Sequence, residues 1–292
     1  MSGMNRREFL TKTLASAGVI ALHPFKYDLL AGQQSKSPAD RIVLGPEEIE
    51  ISRMAVGTGT SGVGGSSNQT RKLGIQGLAN LLREAHARGV TFWDSADQYG
   101  SHPHLKEALR HVPREEVQIL TKTHATTEQE MKADLDRFRK ELGTDYIDIL
   151  LLHMMTEADW PEQKKGAMEV ISRAREDGIV RTHGVSCHTL PALRTAARTP
   201  WVQVDLARIN PHAASMDADV PTVVSVLKEM KQAGKGVIGM KILGAGRLVS
   251  DIDNCLQFAL AADYVDCFTL GVESKDQLAD LFQRIPAASK RG

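Results

Sequence analysis

Residues 146–153 read Tyr-Ile-Asp-Ile-Leu-Leu-Leu-His, an almost unbroken apolar run of strand length. Such a run is typical of a β-strand that is buried on both faces, as the strands of parallel sheets are. An amphipathic stretch ends before it at Gly143, and another follows over residues 162–176. The next apolar run, 180–186, begins soon after Gly178, a residue suited to ending a helix. Strand and helix patterns therefore alternate in this part of the chain.

The same alternation extends through the chain from about residue 41. Strands are predicted over residues 54–57, 90–94, 117–122, 146–153, 180–186, 202–206, 236–240 and 267–271. Helices are predicted over residues 76–88, 104–111, 127–143, 162–176, 190–198, 220–233, 251–262 and 275–284. Eight β/α units with short links predict an α/β fold, a closed (β/α)8 TIM barrel, rather than an open doubly wound sheet. We expect one barrel domain over residues 41–292, with a small hairpin from two short runs, 41–44 and 48–51, before its first strand.

Composition excludes several classes of protein. Hydrophobic residues make up 42% of the chain and charged residues 25%, as in a soluble globular core, and the formal net charge is zero. A neutral chain gives no reason to expect a nucleic acid or an anionic membrane surface as partner. The three cysteines lie far apart, so no disulfide framework, zinc ribbon or iron–sulfur cluster is predicted.

Residues 1–40 are interpreted as an export signal and linker. Arg6 and Arg7 are followed by Phe9 and Leu10 and then by a modestly apolar run, 14–22, which is shorter than the roughly 20 residues that span a bilayer. Paired arginines before such a run predict a twin-arginine signal, with the translocation machinery as partner and a periplasmic or otherwise exported location. The alternative is a basic tail without a targeting role.

Polar residues close several of the predicted strands. In (β/α)8 barrels the reactive side chains project from the C-terminal ends of the strands. Reading those ends in order gives Asp94, Lys122, His153, Ser186, Gln203 and Lys241. Asp94 and Lys122 close neighbouring strands, and we expect them to pair, because a buried charge is costly unless it is paired.

Tyr99 lies five residues after Asp94, in a loop that can fold back over the strand ends. A phenol with a pKa of about 10 is a poor acid at neutral pH, so we expect a nearby Lys122 ammonium to lower that pKa. Asp94 would keep Lys122 charged and oriented, and His153 would hydrogen-bond the same substrate oxygen. These four residues predict a proton-relay site for a carbonyl oxygen, which is what hydride delivery requires.

These motifs resemble the aldo-keto reductase family. The resemblance rests on Asp94-Ser-Ala-Asp-Gln-Tyr99-Gly100, on Thr121-Lys122, on residues 145–153 and on Gly184-Val185-Ser186 with the Gln203 strand, and it extends from about residue 51 to 281. It implies Tyr99 as general acid, Lys122 and Asp94 as its tuning pair, and His153 as the group that orients the substrate. It also implies NADP or NAD bound across the barrel mouth and no metal. The implied cofactor contacts are Gly59, Thr60, Ser61, Ser186, Gln203, Lys241 and Ser274, although Lys241 is equally well explained as a solvated side chain.

Three positions depart from the family pattern. Cys187 stands where the family usually has Asn, and Met240 stands where an aromatic residue stacks on nicotinamide. Glu273 stands where an Arg often binds the adenosine 2′-phosphate. A carboxylate would repel that phosphate and could accept from a ribose 2′-hydroxyl, so we expect NAD to be tolerated at least as well as NADP.

Three functions are compared. The leading prediction is an NAD(P)H-dependent oxidoreductase that interconverts a carbonyl compound (an aldehyde, ketone or sugar) and an alcohol. The alternative is a nicotinamide-binding barrel with little turnover, acting as a redox sensor or scaffold. A metal-dependent hydrolase would need His102 and His104 to act with His153 as ligands, but Pro103 constrains the pair and no carboxylate set accompanies them.

Overall fold

The computed structural model describes residues 35–290. Two short strands, β1 (Arg41–Leu44) and β2 (Ile49–Ser52), form the expected antiparallel hairpin. The other strands are β3 Met54–Gly57, β4 Phe92–Asp94, β5 Gln118–Thr123, β6 Ile147–Met155, β7 Val180–Cys187, β8 Val204–Arg208, β9 Gly236–Met240 and β10 Cys267–Gly271. They pair in parallel and in chain order, and β10 closes the ring against β3. The predicted (β/α)8 barrel is confirmed.

Helices surround the barrel. They are α1 Asn68–Ala87, α2 His102–Leu109, α3 Glu128–Leu142, α4 Trp160–Gln163, α5 Lys165–Glu176, α6 Leu190–Arg198, α7 Val220–Gln232, α8 Ile252–Ala261 and α9 Lys275–Ser289. In α3, a capping box between Thr127 and Glu130 begins the helix and a left-handed Gly143 ends it. None of the helices within residues 35–290 is long and apolar enough to cross a membrane.

Two helices differ from the prediction. Helix α1 begins at Asn68 rather than at residue 76, because Ser67 caps an extra segment that is interrupted at Gly74, where φ is +61° and ψ is −175°. The predicted helix over 162–176 is divided at Lys164 into α4 and α5. Both changes are local, since α1 and α5 still pack apolar faces against the barrel.

The β1–β2 hairpin covers the N-terminal end of the barrel. Leu44, Ile49 and Ile51 are buried in the same cluster as the inward-facing side chains of the barrel strands. Gly45, at the tip of the hairpin, lies against the backbone of Gln203 and of Gly236, the first residue of β9. Apolar side chains therefore fill the N-terminal end of the barrel, and the polar strand ends lie at the opposite, C-terminal end.

Residues 36–40, which the sequence placed in a linker, contact the barrel. The amide of Lys36 donates to Ser289 Oγ at 3.0 Å, and the amide of Met54 donates to the Pro38 carbonyl at 3.0 Å. Asp40 pairs with Arg53 at 3.1 Å. The predicted export signal lies outside the described residues, so it stays a prediction.

Asp205 is a buried acid between the barrel and its helices. It alternates along β8 with the inward-facing Val204 and Leu206, so it points outward, where Cys187 Sγ donates to its Oδ1 at 3.7 Å. The other oxygen, Oδ2, is buried without a hydrogen-bond partner. Burial, together with the negative charge of Asp217, raises the pKa of Asp205 to about 8.

We expect Asp205→Asn to change how stability depends on pH. Above a pKa of about 4 the unfolded chain has lost this proton, while the folded protein keeps it up to pH 8 or so. The free energy of unfolding contributed by Asp205 should therefore fall as pH rises, by about 1.4 kcal/mol per pH unit in that window. Asn has the same shape and no charge. In denaturant unfolding, the free energy of unfolding of the variant relative to wild type should therefore rise by about 3 kcal/mol from pH 5 to pH 7.

The control is Asp177→Asn, which removes an exposed carboxylate after α5. Its free energy of unfolding should follow that of wild type at both pH values. If the free energy of unfolding of Asp205→Asn also follows that of wild type at both pH values, the Asp205 carboxylate is already ionised in the folded protein.

Candidate active site

Three of the four predicted catalytic residues lie at the C-terminal ends of adjacent strands. Asp94 ends β4, and Lys122 and His153 lie near the ends of β5 and β6. Lys122 Nζ donates to Asp94 Oδ1 and to the Ser95 carbonyl, the latter at 2.7 Å. Both side chains are buried, Lys122 with 1% and Asp94 with 6% of its surface exposed. The predicted ion pair is therefore present, at the depth where pairing matters most.

Thr269 completes the surroundings of Asp94. Its hydroxyl, on β10, donates to Asp94 Oδ2 at 2.7 Å, so both carboxylate oxygens accept hydrogen bonds. Sequence reasoning missed this residue because β10 and β4 are far apart in the chain and separated in the barrel by β3. Its inward position in a buried strand was the available signal.

Tyr99 lies in a short 3₁₀ turn after β4, where its ring reaches Lys122. Lys122 Nζ lies 4.9 Å from the centroid of the Tyr99 ring, and its positive charge acts on the phenol. The loop after β3 packs on the same ring. A Cβ atom added at Gly59 would lie 2.2 Å from the Tyr99 ring, and one added at Gly62 would lie 2.4 Å from it. Only glycines at these two positions allow the ring to pack there.

The pKa of Tyr99 moves opposite to the prediction. Burial raises this pKa, and the lowering by the Lys122 charge does not compensate for it. Burial would lower the pKa of Lys122, but Asp94 and Tyr99 together raise it. The expectation of an acidic phenol is therefore wrong, because the sequence does not show how strongly the phenolate is desolvated. The result is a protonated phenol beside a charged ammonium group.

His153 faces Tyr99 from β6. The two ring centroids are 5.8 Å apart with planes at 83°, an edge-to-face contact. Burial, together with the charge of Lys122, lowers the pKa of His153 far below its usual range, so the imidazole is neutral. Its Nδ1 is buried and has no hydrogen-bond partner. A neutral imidazole can donate or accept a hydrogen bond at its other ring nitrogen, Nε2, which suits a polar substrate atom.

His124 was missed by sequence reasoning. Its ring stacks on His153 at 4.8 Å with planes at 27°, and its Nε2 lies 2.9 Å from Gln98 Oε1. Because side chains alternate along a strand, residues two apart face the same way, and His124 follows Lys122 by two. That spacing was the signal that could have placed it at the mouth.

The predicted cofactor loop follows β3. Gly59, Thr60 and Ser61 connect β3 to the turn that precedes α1, and Ser61 adopts a left-handed φ of +51°. Gln69 at the start of α1 holds Thr60, since the Thr60 amide donates to Oε1 at 3.1 Å and Nε2 donates to the Thr60 hydroxyl at 2.8 Å. These residues lie next to Tyr99.

Ser274 and Glu273 follow the neighbouring strand, β10. Ser274 caps α9, and its hydroxyl accepts from the Gln277 amide at 3.1 Å. The Glu273 carboxylate accepts from Asn68 Nδ2 at 2.9 Å and from Lys72. Glu273 is thus an ionised carboxylate tied to the start of α1, and Ser274 lies beside the loop that contains Thr60.

Ser186 and Lys241 lie at the ends of β7 and β9. Ser186 is fully buried, and its hydroxyl accepts from the amide of Met154, a residue with φ of +60°. Lys241 has φ of +57°, and its ammonium group pairs with no carboxylate in the described part of the chain. Burial lowers its pKa, and the charges of Lys122 and Arg208 lower it further.

Gln203 lies at the opposite end of the barrel, so its predicted contact with a cofactor is wrong. Its Nε2 donates to Glu47 of the hairpin at 3.0 Å, and its Oε1 accepts from Thr182 at 2.9 Å. Strand β8 begins at Val204, two residues later than predicted, and this places Gln203 before the strand. Arg208 then occupies the C-terminal end of β8, where sequence reasoning had no candidate.

His102, one of the histidines that a metal-dependent hydrolase would need, contacts two other side chains. His102 Nδ1 lies 2.8 Å from Glu141, and its Nε2 lies 2.7 Å from the Thr121 hydroxyl, so both nitrogens have partners. Within residues 35–290, no cluster of three or more His, Cys, Asp or Glu side chains could hold a metal ion.

Two curated proteins show which known sequences this chain resembles. D-threo-aldose 1-dehydrogenase from a Pseudomonas species is 24% identical over 227 residues, which cover 66% of this chain and 67% of that protein. Probable aldo-keto reductase 1 from Glycine max is 27% identical over 169 residues, which cover 53% of this chain and 47% of that protein. Several of the curated relatives are thus matched over about half of their length.

Solved structures share the fold. A putative aldo-keto reductase from Pseudomonas aeruginosa superposes with a TM-score of 0.72 and 19% identity, over 90% of this chain and 100% of that one. An aldo/keto reductase from Klebsiella pneumoniae, solved with NADP and acetate, has a TM-score of 0.65 and 19% identity, over 85% of this chain and 89% of that one. The sequence model of the aldo/keto reductase family matches residues 54–254. Because that match covers more than half of the chain, the protein belongs to the aldo/keto reductase family.

Proposed function

We propose that the protein is an NAD(P)H-dependent oxidoreductase that interconverts a carbonyl compound (an aldehyde, ketone or sugar) and an alcohol. The observation that carries the proposal is a protonated Tyr99 phenol beside the Lys122–Asp94 pair and the neutral His153, at the polar end of the barrel. Membership of the family supports it, as do relatives named for carbonyl chemistry, such as the NADH-specific methylglyoxal reductase of Escherichia coli.

The described residues fit a nicotinamide dinucleotide. The Glu273 carboxylate and the Ser274 hydroxyl suit ribose hydroxyl groups, and the adjacent Thr60 loop leads from them to Tyr99. A bound nicotinamide would supply the hydride. Ser186 is fully buried and its hydroxyl is already engaged by the Met154 amide, so it is the least accessible of the predicted cofactor contacts at this end.

The four catalytic candidates have different roles in proton transfer and substrate binding. In the reducing direction Tyr99 gives its proton to the carbonyl oxygen, and the ammonium of Lys122 stabilises the phenolate that is left. Asp94 and Thr269 hold Lys122 in place, so the charge is preorganised before reaction. His153 stays neutral and can donate a hydrogen bond to the same oxygen.

We expect Tyr99→Phe to lose turnover by about 10²–10⁴-fold, because the proton donor is removed. The phenyl ring keeps its packing on Gly59 and Gly62, so the Kd for NADH in a fluorescence titration should stay near that of wild type. A panel of aldehydes and ketones measures turnover. In wild type, kcat/KM for reduction should stay level up to about pH 10, since burial raises the pKa of Tyr99.

The matched control is Tyr146→Phe, which removes a phenol just before β6, at the other end of the barrel, and should leave turnover unchanged. Undiminished turnover by Tyr99→Phe would contradict the proposal. Cofactor binding without turnover of any carbonyl by wild type would instead support the nicotinamide-binding sensor or scaffold.

We also propose that NAD binds at least as well as NADP. The Glu273 carboxylate would repel a 2′-phosphate, and Lys72, which now pairs with it, would become free if that charge were removed. Glu273→Gln should therefore shift the ratio of Kd values for NADH and NADPH toward NADPH by roughly tenfold, or about 1.4 kcal/mol. Glu84→Gln, which removes a carboxylate paired with Lys275 at 3.0 Å, is the control. A clear preference of wild type for NADPH would refute the idea.

Export by the twin-arginine route is a further proposal, supported by Arg6 and Arg7 before the apolar run. The full chain would be expressed in a bacterium that has this pathway, and the periplasmic fraction assayed for the protein. The double variant Arg6→Lys, Arg7→Lys should lose the periplasmic form, while Arg41→Lys should keep it. Equal periplasmic amounts of the double variant and wild type would rule out this route.

A further inference from the structure

Lys241 lies among charged groups at the barrel mouth. The charges that act on it are those of Lys122, Arg208 and Asp94, and Asp217 pairs with Arg208. Lys122 pairs with Asp94, and Arg208 Nε donates to Asp217 Oδ1 at 3.1 Å. Lys241 has no carboxylate partner among residues 35–290. One cation at the mouth is therefore uncompensated, in a partly buried position where charge interactions are stronger than in water.

Arg208 and Lys241 are neighbours on adjacent strands. Arg208 alternates with the inward-facing Val204 and Leu206 of β8, so it too points into the barrel mouth. In the β8–β9 register it lies opposite Met240, the residue before Lys241. This register makes Arg208 and Lys241 neighbours at the ends of their strands, and the charge of Arg208 contributes to the lowered pKa of Lys241.

The charges of these two residues act on histidines at the barrel mouth. Burial lowers the pKa of His188 to about 4, and the charges of Arg208 and Lys241 contribute to the lowering. Lys241 also contributes to the lowered pKa of His153. Lys241 is thus within electrostatic range of His153, beside which the carbonyl would lie, and Arg208 is its neighbour at the same end of the barrel.

No other described carboxylate neutralises them. Asp97 and Asp134 lie on the His124 side of the mouth, and both accept from Arg137, at 2.9 Å and 2.6 Å respectively. Asp94 is the one acid whose charge raises the pKa of Lys241, and it already pairs with Lys122. Asp217 contacts Nε and Nη2 of Arg208, which leaves Nη1 without a hydrogen-bond partner in the described chain.

We infer that Arg208 and Lys241 form an anion subsite that binds a carboxylate or phosphate group carried by the carbonyl substrate. A guanidinium held in place by Asp217 presents its remaining N–H groups in the geometry that oxyanions bind best, and the Lys241 ammonium adds an unpaired charge. The inference rests on the proposed function, which places the carbonyl near Tyr99. Lys241 was also predicted to contact the cofactor, so the cofactor's pyrophosphate is the competing anion.

The test compares 4-carboxybenzaldehyde with its methyl ester, which has the same ring and carbonyl but no charge. Wild type should have the higher kcat/KM for the acid. Arg208→Gln should lower kcat/KM for the acid by roughly 10- to 100-fold, the usual effect of losing a hydrogen bond to a charged group, and change that for the ester little. Arg208→Lys should restore part of the preference, and Arg194→Gln, on the exposed surface of α6, should not alter it.

Arg208 also anchors the loop that holds Asp217, so its replacement could disturb the structure. A second variant avoids this effect. Lys241→Gln breaks no ion pair in the described chain and should lower the acid preference in the same way. If neither variant changes the ratio of acid to ester, the subsite is refuted. If both variants instead weaken NADH binding and leave that ratio unchanged, the anion is the cofactor's pyrophosphate, and the assignment to the substrate is wrong.

Binding measurements keep this result separate from the proposed function. If wild type turns over neither these two aldehydes nor any carbonyl of the panel, the proposed function fails. Calorimetric Kd values of the two aldehydes with NADH-loaded protein then test the subsite alone. Tighter binding of the acid that Arg208→Gln abolishes supports the subsite, and equal binding of acid and ester refutes it.

Discussion

The buried pair between Lys122 and Asp94 is the constraint on which the site depends. An ammonium group with 1% of its surface exposed is tolerable only because Asp94 and the Ser95 carbonyl accept its hydrogen bonds. Asp94 is in turn held by Thr269 from β10. Closure of the barrel therefore brings groups from the second, third and last barrel strands together around one charge, beside which the Tyr99 ring packs.

The barrel also decides where polar groups can lie. The β1–β2 hairpin fills the N-terminal end with Leu44, Ile49 and Ile51, so Gln203 at that end is used to hold Glu47. At the other end, charged and imidazole side chains from consecutive strands converge without apolar cover. Chemistry is thus confined to the C-terminal end, in keeping with the general behaviour of this architecture.

Burial sets the protonation states at the mouth. It keeps the proton on Tyr99 and keeps His153 neutral, although Lys122 alone would favour the phenolate. In the proposed function, such a site donates a proton as charge develops on a bound oxygen and holds no preformed base. The proposed anion subsite would use the unpaired Lys241 and the neighbouring Arg208 at the same mouth.

Periodicity and composition alone identified the fold. The limits of β3, β9 and β10 agree with the sequence prediction, because each is a short apolar run bounded by turn-forming residues. The motif around Asp94 and Tyr99, the Lys122 strand end and His153 likewise identified the catalytic candidates, since strand ends converge wherever a barrel closes. Prediction failed at Gln203, because this residue stands at the start of the β8 run and not at its C-terminal end, and it therefore lies at the other end of the barrel.

Contacts between residues far apart in the chain were decided by the tertiary structure. Thr269 on Asp94, His124 on His153 and the inward position of Arg208 depend on which strands become neighbours and on their register. The direction of the Tyr99 pKa shift depends on the depth of burial, which is a property of the packed barrel. A linear pattern records which residues are apolar and how they are spaced, but desolvation and charge pairing arise only when distant segments pack together.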